Sequence, residues 1–385
     1  MANPASVGTV LIVGASGVIG ASAVALFGRE PGWRVLALSR RPPDVPAGVA
    51  FEHIPVDLTD VEACRAAAER FADVTHVIYA ALYEKPGLVQ GWFESDQMQT
   101  NLAMMRNLMD PLRERATGLR HVSVLQGTKA YGAHVHTMSI PARENRPRDQ
   151  HDNFYWLQED YVRAAQAGTD WSFTIWRPQI VFGGAYGVAM NLIPVIGAYA
   201  AICRELGEPF LCPATAGNIN EAVDADLIAR AFRWAMAAPE ARNETFNITN
   251  GDVYVWENVW PAIASAVGLE PAFGKTPISL ARWLLEHAEV WDRLVRKHGL
   301  RPISMTQLCG ESHHYADLLM GYGASIRAPA AILVSTIKLR QAGFGDCVDT
   351  EEMFVRWLGD LANRRILPPR VERLDFTNGS FRETC

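Results

Sequence analysis

The sequence predicts an α/β protein: a doubly wound parallel sheet with a smaller, mainly helical C-terminal lobe. Three observations point there. Short apolar runs alternate with helical patterns from residue 9 to residue 176. A glycine triplet sits between the first such run and the first helical pattern. Beyond about residue 185 the alternation stops and helical patterns dominate. Regular strand–helix alternation is the mark of parallel strands joined by crossover helices.

Taken in order, residues 9–13 read as a strand, 18–27 as a helix, and 34–38 and 51–56 as the second and third strands, the third running into Asp57. A helix follows over 60–71, a fourth strand over 74–80, a helix from about 97 to 113 and a fifth strand over 121–125. A helix starting near Tyr155 leads to a sixth strand over 171–176. In the C-terminal part helices are expected at 190–206, 224–237, 256–267, 278–298, 312–320, 330–341 and 350–363, with a short run at 245–248. Pro368 and Pro369 open a tail containing an Asn378-Gly379 turn signal. The resulting division is a sheet domain over 1–187 with a return segment at about 220–250, a lobe over 188–219 and 251–367, and a tail over 368–385.

With 385 residues the chain can bury a sizeable core. Its 49% hydrophobic and 20% charged residues are ordinary globular values. A net charge of −6 argues against nucleic acid as a partner, which calls for a basic balance. The cysteines Cys64, Cys203, Cys212, Cys309, Cys347 and Cys385 form no CxxC pair and read as reduced thiols of a cytoplasmic protein. The N-terminal apolar stretch at 9–14 is too short for a signal peptide. The run at 188–203 is too short for a membrane span, holds Asn191, Pro194 and Gly197, and reads as a buried helix. The expectation is a soluble protein with no membrane partner; a homodimer is compatible with all of this.

The strongest motif is Gly14-Ala15-Ser16-Gly17-Val18-Ile19-Gly20, between a strand and a helix. In that context the glycines have separate tasks: a tight turn, close approach of backbone to a pyrophosphate, and close packing of helix on strand. The helix N-terminus adds free amides and the positive end of its dipole. The domain is therefore of the Rossmann type, with the GxxGxxG spacing of the short-chain dehydrogenase/reductases, and Gly14, Ser16, Gly17, Val18, Ile19 and Gly20 are its first cofactor contacts. The second strand ends in Ser39-Arg40-Arg41, with no acidic residue to accept ribose hydroxyls. Guanidinium groups there favour a 2′-phosphate, hence NADPH/NADP+, unless the two arginines merely solvate a loop. Asp57 is placed for the adenine edge, or else caps the helix at 60–71, where Thr59 and Asp60 compete with it.

Ordinary short-chain enzymes carry Tyr-x-x-x-Lys on one helix. Here the best-placed tyrosine, Tyr155, is followed four residues later by Glu159, which cannot supply the lysine's charge. The fifth strand runs instead into Gln126-Gly127-Thr128-Lys129, so the lysine has moved from the helix to the strand end. At this point the chain resembles the progesterone 5β-reductase and iridoid synthase-like enone reductases, an atypical, extended branch of the short-chain class. The glycine loop, Ser39-Arg40-Arg41, the Lys129 segment, Asn153-Phe154-Tyr155, Trp176-Arg177-Pro178, Tyr199-Ala200-Ala201, Asp224-Ala225-Asp226 and Phe246-Asn247-Ile248 carry the resemblance. It implies Tyr155 and Lys129 as the catalytic pair, and 1,4-reduction of an enone or enal by NADPH, with the phenol stabilising the enolate oxygen and the ammonium lowering the phenol pKa. It also implies cofactor contacts from Leu58, Ala80, Gln126, Tyr155, Pro178 and Ile180, and a pocket bordered by Leu82, Tyr83 and Tyr315. Leu82 stands where some relatives carry tryptophan. Without the resemblance, Tyr155 reads as a packed aromatic, Lys129 as a solvated loop lysine, and Leu82 and Tyr315 as core.

His134 and His136 lack the carboxylate or thiol company of a metal site, so no metal is expected. His313 and His314 read as helix surface and pocket rim. Two rival functions remain: a carbonyl reductase using the same Tyr–Lys pair, and a non-catalytic NADP(H)-binding regulator. Nucleotide-sugar epimerases and dehydratases fit less well, given the missing Tyr-x-x-x-Lys and the apolar Leu82 segment.

Overall fold

A computed structural model describes residues 7–215, 217–323 and 331–370. The Asn378-Gly379 turn and Cys385 lie outside the described residues. The chain runs β1 (Gly8–Val13), α1 (Val18–Phe27), β2 (Trp33–Leu38), β3 (Glu52–Ile54), α2 (Val61–Ala68), β4 (Val74–Tyr79), α3 (Ser95–Arg115), β5 (His121–Leu125), α4 (Phe154–Gln166) and β6 (Ser172–Pro178). There follow β7 (Ile180–Phe182), α5 (Leu192–Leu206), β8 (Phe210–Cys212), β9 (Ala222–Asp224), α6 (Ala225–Ala235), β10 (Glu244–Ile248), α7 (Trp256–Val267) and β11 (Pro271–Phe273). Six helices close the described chain: α8 (Leu280–Glu286), α9 (Ala288–His298), α10 (Met305–Cys309), α11 (Ser312–Leu319), α12 (Ile337–Gln341) and α13 (Thr350–Asn363).

Seven strands form one sheet in the order β10-β6-β5-β4-β1-β2-β3, and every pairing in it is parallel. The alternating side chains of β1 show why the strand is apolar throughout. Leu11 and Val13 pack with α2, α3 and α4 residues such as Cys64, Met105, Leu108 and Val162. Val10 and Ile12 pack on the other face with Val24 and Phe27 of α1 and Leu227 and Phe232 of α6. A strand covered by helices on both faces has no side to offer water. The strand order reverses between β1 and β4, and at such a switch point the carboxyl ends of the strands part to leave a crevice.

A third apolar cluster is drawn from residues 180–367 and centred on α5. The apolar run seen in the sequence is this helix, buried from Leu192 through Cys203. It starts later than the run itself, because Asn191 caps it and also donates to the carbonyls of Gly183 and Ala185 at 2.8 and 2.6 Å. Among the described residues no helix is long and apolar enough to cross a membrane.

Two expected helices change, and four short strands join them. The helix expected at 278–298 is two helices meeting at His287, whose ring stacks on Trp283 with centroids 4.0 Å apart. Of the helix expected at 330–341, residue 330 lies outside the described residues, and the described part is helical only over Ile337–Gln341. The segment before it is extended, because Leu333 and Ser335 bond Ala142 and the Val334 amide donates to Glu221 at 2.8 Å. The three-residue strands β7, β8, β9 and β11 fall below the length at which a period can be read from sequence.

Candidate active site

A cavity of about 1060 Å3 opens along the carboxyl ends of the central strands, roofed by Gly187–Met190 and by α11. Every residue named above for cofactor, catalysis or the substrate pocket lines it except Gly20, while the rim expected at His313 and His314 does not form: neither lines the cavity, and His313 is buried in α11 and not on the helix surface. Gly20 sits beneath, where a Cβ would come within 2.2 Å of the Gly14 carbonyl, so its task is helix-on-strand packing and not contact with a ligand.

At one end the cavity is shaped by backbone. Gly14 has φ +80° and a Cβ there would meet the Ala80 carbonyl at 2.7 Å, so a side chain is excluded on conformation and on space. Helix α1 begins at Gly17 with no side-chain cap and no acidic residue in its first turn. Its first amides are left for a ligand, and Val18 and Ile19 face the cavity. These features fit the pyrophosphate of a dinucleotide. Beside them Ser39 donates to the Arg41 carbonyl at 2.6 Å, and Arg41 donates to the Gly187 carbonyl at 3.2 Å. Arg40 is exposed at the rim. Asp57 does not cap α2; Asp60 does, accepting from the Ala63 amide at 3.0 Å. Asp57 instead accepts from the amide and hydroxyl of Thr59 at 3.0 and 2.8 Å. Those two bonds, with the Arg40 charge, hold its carboxyl below the usual carboxylate range.

At the other end the cavity is shaped by side chains. Tyr155, in the first turn of α4, and Lys129, in the short 3-10 helix Thr128–Tyr131, both line it. The Lys129 ammonium lies 6.0 Å from the Tyr155 ring centre and 4.1 Å from that of Trp92. One amide ties the two segments together: Asn153 accepts from the Tyr155 amide and donates to the Lys129 carbonyl, both at 3.0 Å. A Cβ on Gly127 would reach 3.2 Å from the Tyr155 hydroxyl, so glycine there keeps space in front of the phenol. Among the described residues none hydrogen-bonds that hydroxyl.

The electrostatics depart from the expectation that Lys129 lowers the phenol pKa. Burial pushes the Tyr155 phenol well up, and the next largest influence is the negative charge of Glu84. Lys129 is itself engaged by Glu84, Nζ to Oε1 at 3.4 Å, with both side chains largely buried. Burial draws the lysine down and the carboxyl up, and each partner opposes the other's shift. The remaining oxygen of Glu84 accepts from Gln97 at 2.7 Å and from the Trp92 indole at 3.1 Å.

Glu159, in the place of the usual lysine, is buried away from this chemistry. Gln126 donates to it at 3.1 Å, and Arg148, Arg163 and Arg177 lie 3.1, 3.0 and 3.4 Å from its oxygens. Burial works against its charge, but Gln126 and Arg177 hold its pKa low. Glu84, His134 and Glu221 are among the lining residues that the sequence does not mark for the site. Glu84 is an isolated acid in a loop, and only the fold shows that it meets Lys129. His134 was weighed only as a metal ligand; burial and the Lys129 charge push it down to about 4. Glu221, 7% exposed, is pushed up by burial to about 7. His136 is paired with Asp149 at 2.9 Å. Among the described residues no group of His, Cys, Asp and Glu has the geometry to hold a metal.

Residues 60–309 match the PRISE-like Rossmann-fold domain. The chain is 30% identical to an (S)-8-oxocitronellyl enol synthase of Antirrhinum majus over 95% of its own length and 94% of that protein. It is likewise 30% identical to a 3-oxo-Δ(4,5)-steroid 5-β-reductase of Arabidopsis thaliana, over 93% of its own length and 92% of that protein. Among solved structures, a UDP-glucose 4-epimerase of Thermotoga maritima superposes with a TM-score of 0.64 at 15% identity, covering 92% of this chain and 99% of that one. A Thermus thermophilus UDP-glucose 4-epimerase complexed with NAD superposes at 0.60 and 19% identity, covering 91% and 98%. At such identities the structures speak for the fold alone. The matches over nearly the whole chain place it in the PRISE-like Rossmann-fold domain family.

Proposed function

We propose that the protein is an NADPH-dependent ene reductase, adding hydride 1,4 to the activated C=C bond of a small hydrophobic enone or enal. The observation that carries the reading is the meeting of Tyr155 and Lys129, from segments 26 residues apart, at the far end of a cavity whose near end fits a dinucleotide. The named relatives form an 8-oxocitronellyl enol and reduce a 3-oxo-Δ(4,5)-steroid, small apolar molecules that an apolar pocket suits. When bound, the nicotinamide supplies the hydride. The chain's own part is to hold the substrate carbonyl against the Tyr155 phenol, whose hydrogen bond strengthens as charge gathers on the oxygen. The Lys129 ammonium, paired with Glu84, lends positive potential to the same place.

The sheet domain of residues 1–187 with the return segment at about 220–250 would hold the cofactor, and the lobe of 188–219 and 251–367 would shape the substrate end. Arg40 and Arg41, with no carboxylate at the end of β2, support a 2′-phosphate and hence NADPH. Arg40→Ala should raise the KM for NADPH about tenfold or more and leave that for NADH nearly unchanged, a loss of about 1.4 kcal/mol or more. The same donor would also serve a carbonyl reductase. Incubation with NADPH and cyclohexenone separates the two: the saturated ketone supports C=C reduction, and the allylic alcohol supports the rival. Neither product would remove both readings.

A further inference from the structure

Asn153 joins the segments of Tyr155 and Lys129, and its carboxamide has one hydrogen left over. Its oxygen accepts from the Tyr155 amide and its nitrogen donates to the Lys129 carbonyl, both at 3.0 Å. A backbone N–H only donates and a carbonyl only accepts, so these two bonds fix which end of the amide is nitrogen. The second hydrogen on that nitrogen is left for His151 Nε2, 3.2 Å away. On the other side of the ring, Nδ1 lies 2.8 Å from an oxygen of Asp149. The two neighbours settle the tautomer: Nε2 faces a donor and is bare, and Nδ1 faces a carboxylate and carries the proton. Asp149 is held in turn by His136 Nε2 at 2.9 Å. Burial works against its charge, but the two histidines hold its carboxyl below the usual range.

The His151 side chain is 7% exposed, and its ring lies against those of His134 and Trp156, with centroids 5.2 and 6.1 Å away. Asn153 is buried too. A buried N–H that loses its acceptor is costly. Without Nε2 the amide would turn toward another partner, and its bonds to the Tyr155 and Lys129 segments would give way. Asp149, His151 and Asn153 do not line the cavity, so each acts through another group. We propose that Asp149 and His151 are positioning residues: the carboxylate fixes the imidazole with Nε2 as acceptor, and that nitrogen locks the Asn153 amide that sets Tyr155 against Lys129. No proton moves along this relay; each link is one hydrogen bond with its direction fixed. The inference deepens the enone-reductase reading and rests on its assignment of Tyr155 and Lys129.

The first test needs no turnover. Proton–nitrogen correlation spectra of the imidazole groups, wild type against His151→Gln, identify the His151 ring. Near neutral pH it should carry its proton on Nδ1 with Nε2 bare, and a proton on Nε2 overturns the proposal. Asp149→Ala should let the proton onto Nε2; an unchanged tautomer there overturns the part given to the carboxylate. The second test is kinetic, with NADPH and cyclohexenone, on variants whose circular dichroism matches wild type. His151→Leu removes the acceptor and keeps an apolar filler. It should lower kcat about 5- to 10-fold and leave the KM for NADPH within about twofold, as expected when a reacting group is displaced and cofactor binding is not. An unchanged kcat overturns the proposal. His151→Gln returns an acceptor near the place of Nε2 and should recover most of the loss; equal losses in the two variants would reduce the ring to packing and overturn the proposal. In an Asn153→Ala background, His151→Leu should cost no more than about twofold further, because the link it serves is already gone. A further loss as large as in wild type overturns the relay. Failure of wild type to reduce cyclohexenone would instead sink the enone reading and leave the tautomer result standing.

Discussion

The two ends of the cavity are made differently. The end proposed for the cofactor is built of backbone: a left-handed glycine, an uncapped helix N-terminus and a glycine packed beneath it, all within seven consecutive residues. The end proposed for the substrate is built of side chains from separate segments, with Glu84, Lys129, His134, Tyr155 and Tyr315 among its polar groups. Backbone recognition tolerates little, because no side-chain motion can relieve a clash with a carbonyl. Side-chain recognition is adjustable: each group can be exchanged while the frame stays, so the chemistry at that end depends on charges that balance one another.

This contrast is open to measurement. Tyr155→Phe should lower kcat about 100- to 1000-fold, the cost of removing one donor to a developing oxyanion, and leave the dissociation constant of NADPH within about twofold. A matching loss of cofactor binding would mean that the two ends are not separable. Gly14→Ala should do the opposite, weakening cofactor binding at least about tenfold and lowering stability by about 2–3 kcal/mol, since the methyl meets the Ala80 carbonyl in a left-handed backbone. Asn153→Ala removes a helix cap and the tether to Lys129 together. It should cost about 1 kcal/mol in thermal unfolding and about tenfold in kcat, and Asn153→Asp, which keeps the capping oxygen, should restore the first and not the second. Glu221→Gln is the mildest. Burial raises the folded-state pKa of Glu221 to about 7 from an ordinary 4.5, so the folded state binds the proton more tightly. Stability is then highest below about pH 4.5 and falls as pH rises to about 7. The glutamine variant should flatten that fall and stand about 1–2 kcal/mol above wild type at pH 8 by thermal unfolding.

The same contrast decides what could be read from sequence. The central sheet was legible because its strands, β3 apart, are apolar runs of five to seven residues set between helical patterns, and the glycine loop because its task depends on seven adjacent residues. Tyr155 and Lys129 were reached through a resemblance to a family, after spacing alone had shown only that the usual lysine was missing. Glu84 was out of reach, since an acid between Tyr83 and Lys85 looks like any loop residue until the fold carries it to Lys129. The break at His287 and the extended stretch before α12 were missed because tertiary contacts, the Trp283 stack and the pairing with Ala142, override local helix preference there.

The surroundings of Glu159 bear on how such a layout arises and persists. A lysine restored at that position would place an ammonium among the guanidinium groups of Arg148, Arg163 and Arg177. Repulsion among four buried or half-buried cations would forbid the exchange unless several partners changed with it. A single substitution at Glu159 therefore does not restore the ordinary arrangement: the guanidinium groups around that position would have to change with it.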